Sequence, residues 1–429
     1  MQIPIERFSL DNGLRVVFSE DHTNAVVAVN LWYNVGSRNE APGSTGLAHL
    51  FEHMMFQGSQ NVPETQHIAH VERAGGSVNG STWLDRTNYY VTLPAHQLEL
   101  ALWLESDRMG FFLPALTQEK LDNQRDVVKN ERRERVDNQP YGDWDERVQA
   151  MLYPPSHPYH HSVIGSMADL DAASLDDVKR FFSTYYAPDN AVLSIAGDFD
   201  AVEARRLVER YFGPIARGPG LPPLPGEPRL EPFTLGREVR AAVEGDFALA
   251  RVYLAYRIPP FGSEEFYAAD VLTEVLSSGK SSRMYRDLVR DRRIARAASA
   301  FCLPIVTGAA SLMVRGISPP GGDPAALEAA ILEQLEAVAK EGPSAAELER
   351  ALTGLEARNT LELQRVAERA DRLSMLTTLF DQPERINTEL DRYRAVTSEH
   401  VRALAERYLH ADNRVVLTYL PRAAQAVAA

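Results

Sequence analysis

Residues 174–193 read SLDDVKRFFSTYYAPDNAVL, and residues 397–416 read TSEHVRALAERYLHADNRVV. The second stretch matches the first at a constant shift of 223 positions, from 174 to 397. Val178 aligns with Val401, Tyr185 with Tyr408, Asp189 with Asp412, Asn190 with Asn413 and Val192 with Val415. Each copy reads as a capped amphipathic helix, an Asx-type turn and a strand. Each sits near the end of one half of a 429-residue chain, so the pattern predicts an internal duplication. The longest Pro/Gly-rich stretch, residues 213–236, divides the chain almost in half and reads as an extended linker. The expected organisation is a first domain over 1–215, a linker over 216–235 and a homologous domain over 236–429.

The first half mixes hairpin and helix signals. Phe8 to Ser19 predicts a hairpin turning at Asp11-Asn12-Gly13. Ala25 to Val35 and Tyr89 to Leu93 predict strands. Glu64 to Ala74, Leu98 to Met109 and Gln118 to Asp137 predict helices. Short antiparallel pairs beside long helices point to an α+β class, with helices layered on mainly antiparallel sheets.

Composition narrows the function. The net charge of −14 and the absence of a basic stripe argue against nucleic acid. The densest basic cluster, Arg290, Arg292, Arg293 and Arg296, reads as a solvated helix end. No apolar run approaches the ~18–20 residues needed to cross a bilayer, so no membrane partner is expected. The N-terminus carries no secretory pattern, which predicts a cytoplasmic protein, or a periplasmic one after removal of a leader. The single cysteine, Cys302, leaves no internal disulfide framework and reads as a buried small hydrophobe.

The chemistry concentrates in His49-Leu50-Phe51-Glu52-His53. On a helix, residues four apart share a face, so both imidazoles can grip one metal ion, and Glu52 can reach a water upon it. This HxxEH order reverses the commoner HExxH zinc-protease helix. Ser44 or Thr45 is the expected N-cap. A catalytic zinc site generally takes a third protein ligand. Glu131 is the best candidate, since it continues a core-facing stripe expected from Val127 and Val128. Glu134 lies less centrally on that stripe, and Asp126 falls off it. The rival cluster of His157, His160 and His161 sits in a Pro-rich loop whose spacing fixes no common face.

With these residues in place, the chain resembles the pitrilysin superfamily of inverzincin zinc peptidases, which includes insulin-degrading enzyme and mitochondrial processing peptidase. It looks most like the short members. The resemblance is densest at Gly36 to Glu40, Gly46 to Gly58, Gly75 to Pro94, Arg125 to Glu131 and Ser281 to Tyr285. It implies one zinc per chain, held by His49, His53 and Glu131. It implies two homologous α+β domains that form half of a clamshell, closed by a second subunit. Asn79, Gly80, Ser81 and Thr82 match the edge strand on which these enzymes lay an extended substrate. Gln124 stands where many members carry a glutamate seven residues before the ligand, and it can support the site by hydrogen bonding. Arg290 matches a substrate-binding arginine. The family's tyrosine seven residues later falls on Ala297, and Tyr285 lies upstream.

The expected activity is therefore zinc-dependent endoproteolysis of peptides or unfolded segments, with Glu52 taking the proton of a water and passing it to the leaving amine. At the 223-residue shift, His49 falls on Leu272 and His53 on Leu276, so the second half is expected to carry no metal. Ala297 raises the expectation of a heterodimer with an Arg/Tyr-bearing, metal-free homologue, beside a homodimer. The alternative of another class is a non-catalytic scaffold or assembly subunit, against which the intact His49, Glu52 and His53 argue.

Overall fold

The computed structural model of the protein describes residues 2–231 and 233–422. In chain order, the first half contains β1 (Glu6–Ser9), β2 (Arg15–Glu20), β3 (Val26–Tyr33), α1 (Leu47–Met54), α2 (Gln66–Arg73), β4 (Ser77–Thr82) and β5 (Thr87–Pro94). There follow α3 (Leu98–Phe111), α4 (Gln118–Arg132), α5 (Trp144–Leu152), α6 (Met167–Ala172), α7 (Leu175–Tyr185), β6 (Ala191–Gly197) and α8 (Ala201–Phe212). The second half contains β7 (Val239–Gly245), β8 (Arg251–Ile258), α9 (Glu264–Ser277), β9 (Ala297–Leu303), β10 (Ala310–Ile317) and α10 (Pro324–Glu341). It ends with α11 (Ala345–Leu363), α12 (Val366–Phe380), α13 (Glu389–Arg394), α14 (Ser398–Tyr408) and β11 (Arg414–Pro421). None of the described helices is long and apolar enough to cross a membrane.

Two sheets form, and they repeat one another. The first runs β1-β2-β6-β3-β5-β4 and the second β7-β11-β8-β10-β9. In each, the strand after the repeated helix pairs parallel on one side and antiparallel on the other: β6 with β2 and β3, β11 with β7 and β8. The repeated segments match in detail. Ser174 accepts from the Asp177 N–H in a capping box, and Thr397 does the same for His400. Asn190 donates to the Tyr185 carbonyl and Asn413 to the Tyr408 carbonyl, both at 2.8 Å. The Asx residue thus closes the C-terminal end of each helix and starts the strand. The hairpin expected at Asp11-Asn12-Gly13 is present, with Ser9 opposite Arg15 and Gly13 left-handed.

The compact units are not the two halves of the sequence. One comprises Met1–Arg132, His161–Gly226 and Asn359–Glu389, the other Arg133–His160, Glu227–Arg358 and Leu390–Ala429. Each half lends its partner one helix. In the first unit, α12 covers a face of the first sheet, burying Leu373 and Leu376 with Val17 and Val192. Its Asp371 Oδ1 accepts from Asn30, Trp32 and Asn88 of β3 and β5 at 2.8–3.1 Å. In the second unit, α5 covers the second sheet: Trp144 stacks on Tyr253 at 5.1 Å, and the Tyr419 hydroxyl donates to Asp143 at 2.6 Å. At the repeat shift Trp144 falls on Ala367, within α12, so the exchange is reciprocal. A division at the linker alone misses it, because the apolar face of α12 fits the first sheet, which lies far upstream.

The opposite face of the first sheet holds a second, larger cluster than the one under α12. There α1, α3, α7 and α8 pack Leu50, Phe51, Leu102, Phe182 and Val208 against Val29, Leu31 and Ile195. Full burial of each such side chain contributes about 1.5–3 kcal/mol. This packing fixes α1 as a rigid platform.

Candidate metal centre

Helix α1 buries Leu47, Ala48, Leu50, Phe51 and Met54, which leaves His49, Glu52 and His53 on its remaining face. The entry to α1 differs from expectation. Neither Ser44 nor Thr45 caps it, because the chain enters through Gly46 at φ 85°. A Cβ there would lie 2.5 Å from the Ile164 carbonyl oxygen, so only glycine fits. Thr45 turns to Asp169 instead, which accepts from both its N–H and its hydroxyl.

The cap comes from Glu40. Its carboxylate accepts from the Gly46 N–H at 2.9 Å and the Ala48 N–H at 2.7 Å, and it meets His161 Nε2 at 2.9 Å. Negative charge at a helix N-terminus is favourable. Burial pushes the Glu40 carboxyl above its usual range against the pull of His161 and the two amides. Burial also opposes charge on His161, but the hydrogen bond and charge of Glu40 outweigh it and hold His161 above its usual value. Neither residue was expected at the site. The signal for Glu40 was a carboxylate shortly before a helix whose expected side-chain caps fail. His161 carried none, since it reaches the site from 121 residues away.

Helix α4 supplies the carboxylate. Its buried stripe is Leu121, Gln124 and Val128, and Glu131 continues it by one turn. Val127, expected on that stripe, is exposed, and so are Asp126 and Glu134. The stripe follows Val128 because helical spacing takes it through 121, 124, 128 and 131. Gln124 is buried two turns before Glu131.

These elements bring His49, His53 and Glu131 together, with one donor atom from each within 4.8 Å of the others. Glu131 Oε2 lies 3.2 Å from His53 Nε2 and 3.7 Å from His49 Nε2. Two imidazole nitrogens and one carboxylate oxygen at such spacings fit a zinc ion bound at about 2.0–2.2 Å per ligand with one position open. Among the described residues this is the one group of three or more potential ligands so arranged. Glu52, on the same helix, is raised above its usual range by burial, against a 2.6 Å hydrogen bond from the Thr82 hydroxyl.

Strand β4 is the edge of the first sheet. Trp83 N–H bonds the Arg86 carbonyl at the hairpin end, and Thr82 and Gly80 stand opposite Thr87 and Tyr89. Alternation along the antiparallel ladder turns the backbone groups of Gly80 and Thr82 away from β5. The Gly80 N–H is met by its neighbour, Asn79 Oδ1, at 2.9 Å. Ser81 points to the other face, where its hydroxyl bonds Asn88 and Arg86 bonds its carbonyl.

The other singled-out residues lie elsewhere. His157 stacks on Tyr153 and bonds the Pro228 carbonyl, and burial lowers its pKa to about 4. His160 bonds the Tyr153 carbonyl. Arg290, in the second unit, is exposed and forms a two-pronged pair with Asp291. Ala297 opens β9, the edge strand of the second sheet, and is exposed. Cys302, expected to be buried, is half-buried within that strand.

Comparison with known proteins fits this architecture. The mixed α/β fold with two sheets is that of the two-domain M16-like peptidases. The crystal structure of a protease from Helicobacter pylori superposes with a TM-score of 0.92 at 27% identity, covering 98% of this chain and all of that one. The periplasmic protease PqqL from Escherichia coli matches at a TM-score of 0.77 and 19% identity, and 48% of that chain is covered. The insulinase (peptidase family M16) description matches residues 15–155, and the peptidase M16 inactive domain matches residues 172–355. The zinc protease PqqE of Helicobacter pylori is 32% identical over 346 residues, covering 80% of this chain and 77% of that protein. The chain belongs to peptidase family M16.

Proposed function

We propose that this chain is the zinc-bearing subunit of an endopeptidase acting on extended peptides or unfolded segments. His49, His53 and Glu131 would hold the zinc. In such a site zinc polarises a peptide carbonyl and brings the pKa of a water toward ~7. Glu52 takes the water proton and delivers it to the leaving amine. Strand β4 receives the substrate main chain, using the outward backbone groups of Gly80 and Thr82, while the Asn79 amide gives up the Gly80 N–H. Main-chain pairing makes little demand on side-chain identity and favours unfolded segments.

The observation that carries this reading is the convergence of three donor atoms from α1 and α4 with Glu52 beside them. Membership of M16 supports it. Ala297 at the tyrosine position favours a second subunit that completes substrate binding, by the division of labour implied by the resemblance. Relatives include a protein named mitochondrial-processing peptidase subunit beta.

The test is cleavage of an internally quenched peptide by the chain alone and in the presence of a metal-free M16 homologue. Cleavage should stop with a zinc chelator, return with added zinc, and fall at least ~10³-fold in Glu52→Gln with zinc still bound. Cleavage insensitive to the chelator, or wild-type turnover by Glu52→Gln, overturns the reading.

A further inference from the structure

Glu52 is held by the same strand that is proposed to receive the substrate. The Thr82 hydroxyl donates to Glu52 Oε2 at 2.6 Å, a short charge-assisted bond in a mostly buried setting. The hydroxyl has one proton to give. Its neighbour Thr87 spends its own on the Val35 carbonyl at 2.9 Å and stands 3.4 Å from the Thr82 oxygen, so Thr82 is left to serve Glu52. The strand touches Glu52 a second time at Gly80. A Cβ at that position would lie 3.3 Å from Glu52 Cγ, 3.2 Å from Phe56 and 3.1 Å from Tyr89. Residues 80 and 82 share one face of β4, since strand side chains alternate. One face of the edge strand thus packs on the carboxylate, and no described strand pairs with its outer edge.

We infer that Thr82 is a positioning residue that fixes one oxygen of Glu52, leaves the other to accept a proton, and couples peptide docking on β4 to the alignment of the base. This rests on the peptidase reading above. A peptide that pairs with β4 tightens the strand, and the strand carries the Thr82 hydroxyl. Base alignment then improves only when a main chain lies in register. Removing the hydroxyl should affect turnover and leave docking, which uses backbone groups, nearly intact.

The test pair is Thr82→Val, which keeps the shape and β-branching, and Thr82→Ser, which keeps the hydroxyl. Thr82→Val should lose about 10–100-fold in kcat, the usual effect of losing a partner that orients a site group. Its KM should stay within about threefold, and its zinc content should match wild type. Thr82→Ser should recover most of the kcat. Crystals of metal-free Thr82→Val should show the Glu52 carboxylate displaced or split between rotamers, and Thr82→Ser should restore it. Wild-type kcat in Thr82→Val, equal impairment in Thr82→Ser, or a loss confined to KM overturns the proposal. If the zinc-loaded wild type cleaves no peptide, alone or paired, the peptidase reading fails on its own account. The Glu52 position in metal-free crystals then decides the Thr82 bond: an unmoved carboxylate in Thr82→Val rejects it.

Discussion

Helices α1 and α9 follow the equivalent strands β3 and β8 of the two repeats, yet they use the same face oppositely. α1 spans Leu47–Met54, enters through a left-handed glycine and is capped by the buried carboxylate of Glu40. α9 spans Glu264–Ser277 and is capped by Ser263, whose hydroxyl accepts from the Phe266 N–H. At the positions of His49, Glu52 and His53, α9 carries Leu272, Val275 and Leu276, each fully buried. Gly354 stands at the shift from Glu131 and lies beside Glu274 of α9. One scaffold therefore serves two ends. Where the face is filled with aliphatic carbon it stabilises the unit, and where imidazoles and carboxylates replace that carbon it gathers potential metal ligands at a cost in packing.

The strongest way to break this comparison is to write one helix into the other. His49→Leu combined with His53→Leu should abolish zinc binding and peptide cleavage, while the metal-free thermal midpoint holds or rises. Elemental analysis and calorimetry check both. The reverse exchange, Leu272→His with Leu276→His, puts two polar rings into a packed core and should cost several kcal/mol without creating a zinc site. A stable double histidine variant that binds zinc through α9 would show that the second half kept more of the site than its side chains display.

A smaller effect separates the two caps. Glu40→Ala removes the acceptor of two helix N–H groups and leaves His161 with the Ser37 carbonyl alone, a loss of about 1–3 kcal/mol for buried polar groups left unpaired. Zinc affinity should fall as well, because Ala48 precedes His49. Ser263→Ala, which removes one half-buried cap hydroxyl, should cost about 1 kcal/mol. Denaturant titration of the two metal-free variants ranks them, and equal losses would reject Glu40 as the anchor of α1.

The contrast also marks what the residues disclose before any fold is known. The duplication was readable because Asn190 and Asn413 do the same local work, closing a helix onto the next strand. The histidine pair was readable because a spacing of four fixes a common face. The place of Glu131 on its helix face was legible from Val128 alone, although Val127, expected on the same stripe, is exposed. The exchange of α5 and α12 escaped, because helical periodicity shows that a face is apolar and not which sheet it covers. Glu40 and His161 escaped for a related reason: nothing in local sequence records a pair closed over 121 residues.

The finest distinction lies within one loop, between His157 and His161. Burial depresses His157 to about 4, and Glu40 holds His161 above its ordinary value against burial. Their linkage to folding has opposite signs. The contribution of His161 is fully present below ~6.5 and is lost as pH rises through its raised value. Glu40, also raised, acts in the same direction. The contribution of neutral His157 is present above ~6.5 and is lost as pH falls toward 4. Asp169 adds a smaller attraction for the proton on His161. Thermal midpoints of the metal-free protein between pH 5 and 9 should therefore flatten on the alkaline side in His161→Gln and on the acid side in His157→Gln. Each change should amount to a few degrees, about the effect of 1 kcal/mol in a domain of this size. If His161→Gln keeps the wild-type alkaline slope, the Glu40–His161 contact is a neutral hydrogen bond, and α1 owes its anchoring to the carboxylate and the two amides alone.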